Sequence, residues 1–348
     1  MVIIIGAGLS GLLLGYRLKQ KDIPFKILEA RDRIGGRIHT VLDSSETPLE
    51  MGATWFGEQH VELKSLLDEL GIEYFEQFMN GTAFFQPIST SPASSVPIPS
   101  QPPSYRIKGG TSAIVQELAQ RIGEEHILLN ENVKEINFST DDIQIISKKI
   151  YRASKVILAL PPKLWATSIK VIPDLPQDLK NTALNTHTWM EHSIKVALSY
   201  QDPFWRTNGQ SGTFFSNSGP ISEFYDHCNS ELSKYALCGF LNPSYAHLSN
   251  EERKGIVLNQ IVSVFGDEAK NIINYEELNW LEEDKTYSES VNQLYPHENN
   301  GSPLFQEPYF DSRLYISSTE SSSAYSGYME GAVISANLTL DRVLRDRH

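Results

Sequence analysis

The chain opens on a run that leaves few folds available: Val2, Ile3, Ile4 and Ile5, followed at once by GAGLSG. Four consecutive β-branched residues read as a central parallel strand, buried on both faces. Gly6, Gly8 and Gly11 then meet the G-x-G-x-x-G spacing at the point where a strand gives way to a helix. Gly6 permits the tight turn, Gly8 lets a pyrophosphate approach bare backbone, and Gly11 lets the helix pack closely on the strand. The helix N-terminus offers oriented N–H groups to the phosphates. Residues 9–19 carry helical spacing and 25–29 read as a second strand, a unit whose crossover is expected to be right-handed. Glu29 ends that strand about 20 residues beyond the glycines, where a carboxylate accepts hydrogen bonds from a ribose.

After Glu29 come Ala30, Arg31, Arg33, Gly35, Gly36 and Arg37, a second glycine turn flanked by guanidinium groups that suit a diphosphate. A nicotinamide dehydrogenase has no need of this loop. The run EARDRIGGR resembles the flavin-dependent amine oxidase family, as do Glu50, Met51, Gly52, Ala53, Thr54 and Trp55, which in that family form a turn near the flavin. The most specific match is GYMEGA, residues 327–332.

The resemblance implies non-covalent FAD, because no cysteine between Trp280 and Tyr325 is available for a thioether. It implies that Glu320 lies against the ribityl-phosphate part of FAD, and that Gly327, Tyr328 and Met329 open a helix at the isoalloxazine ring, whose N-terminus stabilises negative charge. It also implies that Val133 contacts the adenine through its backbone, and that Gly109, Gly110 and a helix from Thr111 return to the cofactor. Ser318 replaces the family's usual glycine before Thr319.

For catalysis, pattern alone turns Lys195, mid-strand in HSIKVALSY, toward solvent. The longer segment IKVALSYQDPFW resembles the family segment whose lysine holds a water against the reactive flavin nitrogen, a role helped by a pKa lowered through desolvation. Trp280 resembles the tryptophan beside the flavin, and Tyr325 and Tyr328 the aromatic residues that flank the amine.

The remaining pattern is α/β. Helices are expected at 61–70, stopped by Gly71, and at 111–122, 251–265 and 328–344; strands at 127–129, 133–138, 143–146, 155–160, 193–200 and 314–317. Residues 86–104 hold six prolines and six serines and read as an extended or mobile loop. The expected architecture is a Rossmann-type FAD-binding domain with a glutathione reductase-like parallel sheet (1–70, 105–165 and 285–348). Into it is inserted an α+β substrate domain on a mixed or antiparallel sheet (71–104 and 166–284). Between Trp55 and Gly109 the family's longer helical cover is missing, so access is expected to be open or completed by a partner.

A formal charge of −13, from 30 basic and 43 acidic residues, argues against nucleic acid or an anionic membrane as partner. Cys228 and Cys238 read as buried thiols on neighbouring strands. With no membrane-length apolar run and no leader before the first strand, the expectation is a cytoplasmic protein, for which a homo-oligomer is compatible. No histidine pair has metal-ligand spacing. The implied reaction is oxidation of a small-molecule amine to an imine by hydride transfer to FAD, with oxygen reoxidising the flavin and leaving as hydrogen peroxide. Two alternatives stay open: a renalase-like or desaturase-like FAD oxidoreductase on a non-amine substrate, and a non-catalytic flavoprotein module.

Overall fold

In the computed structural model, which describes residues 1–88, 90–289 and 294–346, Val2–Ile5 is the middle of a five-stranded parallel sheet. The order runs Ile127–Leu128, Phe25–Leu28, Val2–Ile5, Lys155–Leu158, Leu314–Ile316. Both faces of the sheet are covered, which is why its strands read as unbroken apolar runs. On one face the helices Leu9–Gln20, Ser112–Ile122 and Met329–Arg345 bury Ile4, Leu12, Leu118 and Ala336 in a common core. On the other, Ile3, Ile5 and Leu158 meet a four-stranded sheet through Ile136, Ile143 and Ile145. Each such aliphatic side chain contributes roughly 1.5–3 kcal/mol on burial.

A seven-stranded mixed sheet forms the second layer, ordered Ile272–Asn279, Ile194–Tyr200, Tyr235–Leu241, Ile221–Asp226, Gln210–Ser216, Thr82–Gln86, Ser94–Pro97. The helix Asn250–Phe265, begun by a Ser249/Glu252 capping box, covers one face through Val257, Ile261 and Phe265. Against the other face lie Leu49 and Met51, which pack on Ala197, Ala236 and Cys238.

Most expected elements are present, including Val61–Leu70, ended by Gly71 in the left-handed region at φ 73°. Three expectations need correction. Residues 86–104 are no unpaired loop: Ser94–Pro97 pairs antiparallel with Thr82–Gln86, and its one proline, Pro97, is tolerated because the strand is at the sheet edge. Residue 89 of that stretch lies outside the described residues. Val133 precedes its strand, which is only Glu135–Asn137. Cys238 is on a strand, but Cys228 sits just beyond the neighbouring strand's end; both are buried and free.

Glu330 of the GYMEGA run has a structural task. Its carboxylate accepts hydrogen bonds from the backbone N–H of Glu62 (3.0 Å) and Leu63 (2.7 Å), capping the first turn of the Val61–Leu70 helix from across the chain.

Candidate active site

Two adjoining cavities lie between the layers. The first, about 300 Å³, runs from the N-terminal glycine turn past Glu29, Arg31 and Val133 to Thr319 and Met329. The second, about 510 Å³, lies over the seven-stranded sheet. Arg37, Ala53, Gly327, Tyr328 and Met329 line both and so mark their junction.

The three glycines of the first turn stand in different steric surroundings. Gly6 has φ 106°, closed to ordinary side chains, and a Cβ there would meet the Ala159 carbonyl oxygen at 2.7 Å. A Cβ on Gly11 would sit 2.0 Å from the Gly6 oxygen, so this glycine serves helix packing and lines neither cavity. A Cβ on Gly8 would have the Gly35 carbonyl oxygen as its nearest neighbour, at 4.0 Å, and so has room. Protein packing therefore does not demand Gly8, whereas a pyrophosphate drawn close to the backbone does.

Glu29, buried at the end of its strand, accepts from the backbone N–H of Ala7 (2.7 Å) and Arg31 (2.9 Å). Two amides fix the carboxylate and leave it lone pairs to offer a ribose. Arg31 lines the same cavity, but its guanidinium is shared with Glu283, Thr286 and the Lys285 carbonyl. Val133, Ala30 and Gly36 line it as well. These features fit a dinucleotide: a bare glycine, a fixed carboxylate and guanidinium groups along one groove.

Glu320 departs from expectation. It is fully buried, lines neither cavity, and holds Arg37 in a two-pronged ion pair at 2.6 and 3.1 Å. Its ion-pair partner Arg37 lines both cavities. Gly109 and Gly110 are also displaced from the expected place, lining a separate small cavity beside Glu50.

In the second cavity, Lys195 is 1% exposed. Its strand alternates: Ile194, Val196, Leu198 and Tyr200 enter the core under the Asn250–Phe265 helix, while Lys195 faces the 50–55 turn. That turn covers the face that pattern alone assigns to solvent. Lys195 Nζ donates to the Gly52 carbonyl (3.1 Å) and Thr54 Oγ1 (2.6 Å), and lies 4.6 Å from the centre of the Trp55 ring and 4.7 Å from that of Phe240. Burial lowers its pKa, against the milder opposing pull of Cys238, Glu50 and Glu223. Trp280 also lines the cavity and is fixed by its indole N–H donating to the Met51 carbonyl at 2.8 Å.

Tyr328 lines both cavities, with the ring of Trp189 at 5.7 Å and that of His297 at 6.3 Å. Tyr325 does not join it. Its backbone has φ 51°, its ring meets His60 edge-on at 5.0 Å, and it lines neither cavity. The three-residue spacing from Tyr328 fails to bring the rings together because 325–328 is a turn before the helix begins at Met329.

The sequence reading missed Trp189, Glu223, Tyr225 and Phe240, all of which line the second cavity. Register explains two of them. Lys195 pairs with Phe240, and Phe240 with Glu223, so three neighbouring strands form one row on the cavity face. In Ile221–Asp226, Glu223 and Tyr225 alternate with Phe224, which is core; that period of two is the signal in the sequence. Tyr225 donates its hydroxyl to Glu223 at 2.7 Å. Among the described residues lining the cavity, Glu223 is the only acidic one. Gln101, Pro102 and Ser104 supply part of the wall, so the Ser/Pro stretch provides some cover at a site expected to be open or completed by a partner.

His39 and His187 are both pushed down to about 4, chiefly by burial, with Arg33 and His297 respectively as the next contributors. An unfolded histidine titrates near 6.5, so their contribution to stability is fully present above that value and is lost as pH falls toward 4. Melting temperature measured from pH 7.5 to 4.5 is expected to fall through this window, with the fall reduced in the His39→Gln, His187→Gln double variant. An unchanged slope in that variant contradicts the assignment.

The sequence matches the family described as flavin containing amine oxidoreductase over residues 9–104 and 99–344. A probable flavin-containing monoamine oxidase A of Dictyostelium discoideum is 25% identical, the alignment covering 99% of this chain and 97% of the relative. Putrescine oxidase of Kocuria rosea is 23% identical over 82% of this chain and 83% of its own. Among solved structures, wild-type putrescine oxidase bound to putrescine superposes with a TM-score of 0.85 at 22% identity, covering 99% of this chain and 98% of that one. Cyclohexylamine oxidase from Brevibacterium oxydans IH-35A gives 0.86 at 19% identity, with the same coverage. Among the described residues no helix is long and apolar enough to cross a membrane.

Proposed function

This chain belongs to the flavin containing amine oxidoreductase family, and from that premise we propose that it oxidises an amine that carries a second cationic group. The reacting end lies between Tyr328 and Lys195, and the far end pairs with Glu223. The chain is an FAD-dependent amine oxidoreductase. The observation that carries it is the row Lys195, Phe240, Glu223 across three strands. Strands about 4.8 Å apart put Lys195 and Glu223 roughly 10 Å from each other on the cavity face. Putrescine, bound by a protein of the same fold, has a cationic group at each end.

FAD would be held in the first cavity by the glycine turn, Glu29, Arg31 and Arg37, with Ala53, Gly327 and Met329 lining the junction with the second, where Thr54 joins them. Cys228 and Cys238 line neither cavity, in keeping with a cofactor held without a thioether. Residues 1–70, 105–165 and 285–348 form the cofactor unit, and 71–104 with 166–284 the substrate unit.

Bound FAD supplies the acceptor for the electron pair of the substrate's α C–H bond. Release of that pair needs the amine lone pair free to form the C=N bond, so the reacting nitrogen is neutral. The ring faces of Tyr328 and Trp189 draw the arriving ammonium by cation–π attraction and then orient the neutral amine. Neutral Lys195 has two N–H bonds, which match its two acceptors, Gly52 and Thr54, and a lone pair left over for a water in the cavity. Trp280 walls the site and limits access of bulk water. Hydrolysis of the imine gives a carbonyl compound and ammonia or an amine. Oxygen is the final acceptor and leaves as hydrogen peroxide, in a cytoplasmic setting.

Glu223→Gln tests the substrate assignment. With a diamine, kcat/KM is expected to fall about 10- to 100-fold, the worth of a hydrogen bond to a charged group. With a monoamine of equal length it should barely change. Equal losses on both would defeat the role given to Glu223.

A further inference from the structure

Behind Lys195, across Thr54 from the substrate cavity, is a separate cavity of about 20 Å³. Glu50, Thr54, Arg106 and His227 line it. Its size suits one water molecule, which needs roughly 10–15 Å³. Arg106 is buried; one guanidinium nitrogen meets His227 Nδ1 at 2.9 Å, another donates to the Cys228 carbonyl, and its Nε–H has no partner among the described residues. Of the carboxylates, Asp226 and Glu50 act on it through charge alone. Asp226 is already paired with Arg206 at 2.6 and 2.7 Å, which leaves Glu50. Glu50 is buried too, with hydrogen bonds from the Thr111 N–H (2.6 Å) and the Thr40 hydroxyl (3.1 Å). A buried cation with an unmet N–H and a buried carboxylate thus border one water-sized space.

We propose that one internal water accepts from Arg106 Nε and donates to Glu50, joining them as a water-separated ion pair, and that this pair positions Lys195 as a neutral amine. Arg106 occupies the charge of Glu50, which would otherwise pair with a lysine ammonium. The inference rests on the role given above to Lys195. Among the described residues, other groups bearing on Lys195 are Cys238 on the neighbouring strand, Glu223 on the strand beyond it, His227 behind it, and Arg37 and Tyr225 across the substrate cavity. Burial holds His227 well below its ordinary value, so it stays neutral. Glu50 favours the Lys195 ammonium, and Arg106, by engaging Glu50 through the water, would weaken that pull.

The test is the pH dependence of anaerobic flavin reduction by excess diamine, measured on the holoenzyme and its variants; ionisation of the amine itself is common to all. Glu50→Gln removes the anion and is expected to lower the apparent pKa assigned to Lys195 by about 1 unit. Arg106→Met frees Glu50 to pair with Lys195 and is expected to raise it by about 1 unit. Shifts in the same direction, or none, overturn the proposal. Lys195→Met should erase that ionisation. If it does not, the role given to Lys195 fails and takes the proposal with it; if it does while the other two variants leave the profile unmoved, the proposal alone fails. Should either variant not fold, a high-resolution crystal structure of the wild-type holoenzyme decides: a water bonded to Arg106 Nε and Glu50 supports the pair, and an empty cavity overturns it.

Discussion

Replacing Lys195 with methionine should leave FAD bound and slow flavin reduction or its reoxidation by oxygen about 10²- to 10⁴-fold, the range for loss of a positioned proton-transfer group. The volume is nearly preserved, and the apolar tail still fits between Trp55 and Phe240. Two hydrogen bonds, to Gly52 and Thr54, disappear together with the lone pair that faces the cavity. The dinucleotide groove is untouched, since Lys195 does not line it. Flavin content and the two half-reactions, each followed by stopped-flow absorbance, check this. Unchanged rates in both would remove Lys195 from the chemistry.

Arg37→Met should have the largest effect on the protein itself. Glu320 is wholly buried and Arg37 is its ion-pair partner, so the substitution strands a carboxylate out of water. Breaking a buried pair from one side costs about 3–5 kcal/mol. Arg37 also stands at the junction of the cavities, so flavin retention should fall in parallel. Denaturant unfolding measures the first and the absorbance ratio of flavin to protein the second. Arg37→Met, Glu320→Leu, which removes both charges, should regain much of the stability without regaining the flavin. A double variant no more stable than the single one contradicts this.

How much of this was legible in the sequence varies with the range of the interaction. Val2–Ile5, the glycine turn and Glu29 were readable because strand, turn and helix are local and each glycine answers a local steric demand. The buried face of Lys195 was not legible from its strand alone: alternation shows that it differs from Ile194 and Val196, but what covers it is the 50–55 turn, roughly 140 residues away. Family resemblance supplied what periodicity could not. Tyr325 went wrong for the reverse reason, since a spacing of three puts two rings on one face only in a helix, and the helix starts at Met329. Glu320 was identified as important, yet its partner, Arg37, could not be inferred from spacing. Glu223 needed register, which joins it to Lys195 through Phe240 and which no single strand carries.

The central claim is that FAD in this chain takes electrons from an amine. Its most direct test is titration of the purified holoenzyme with a diamine under nitrogen, watching the visible flavin absorbance. One equivalent of diamine per flavin should bleach it, with the colour returning and peroxide appearing when air is admitted. A flavin that stays fully coloured with excess diamines and monoamines, yet bleaches with a non-amine reductant such as a reduced nicotinamide, would contradict the account.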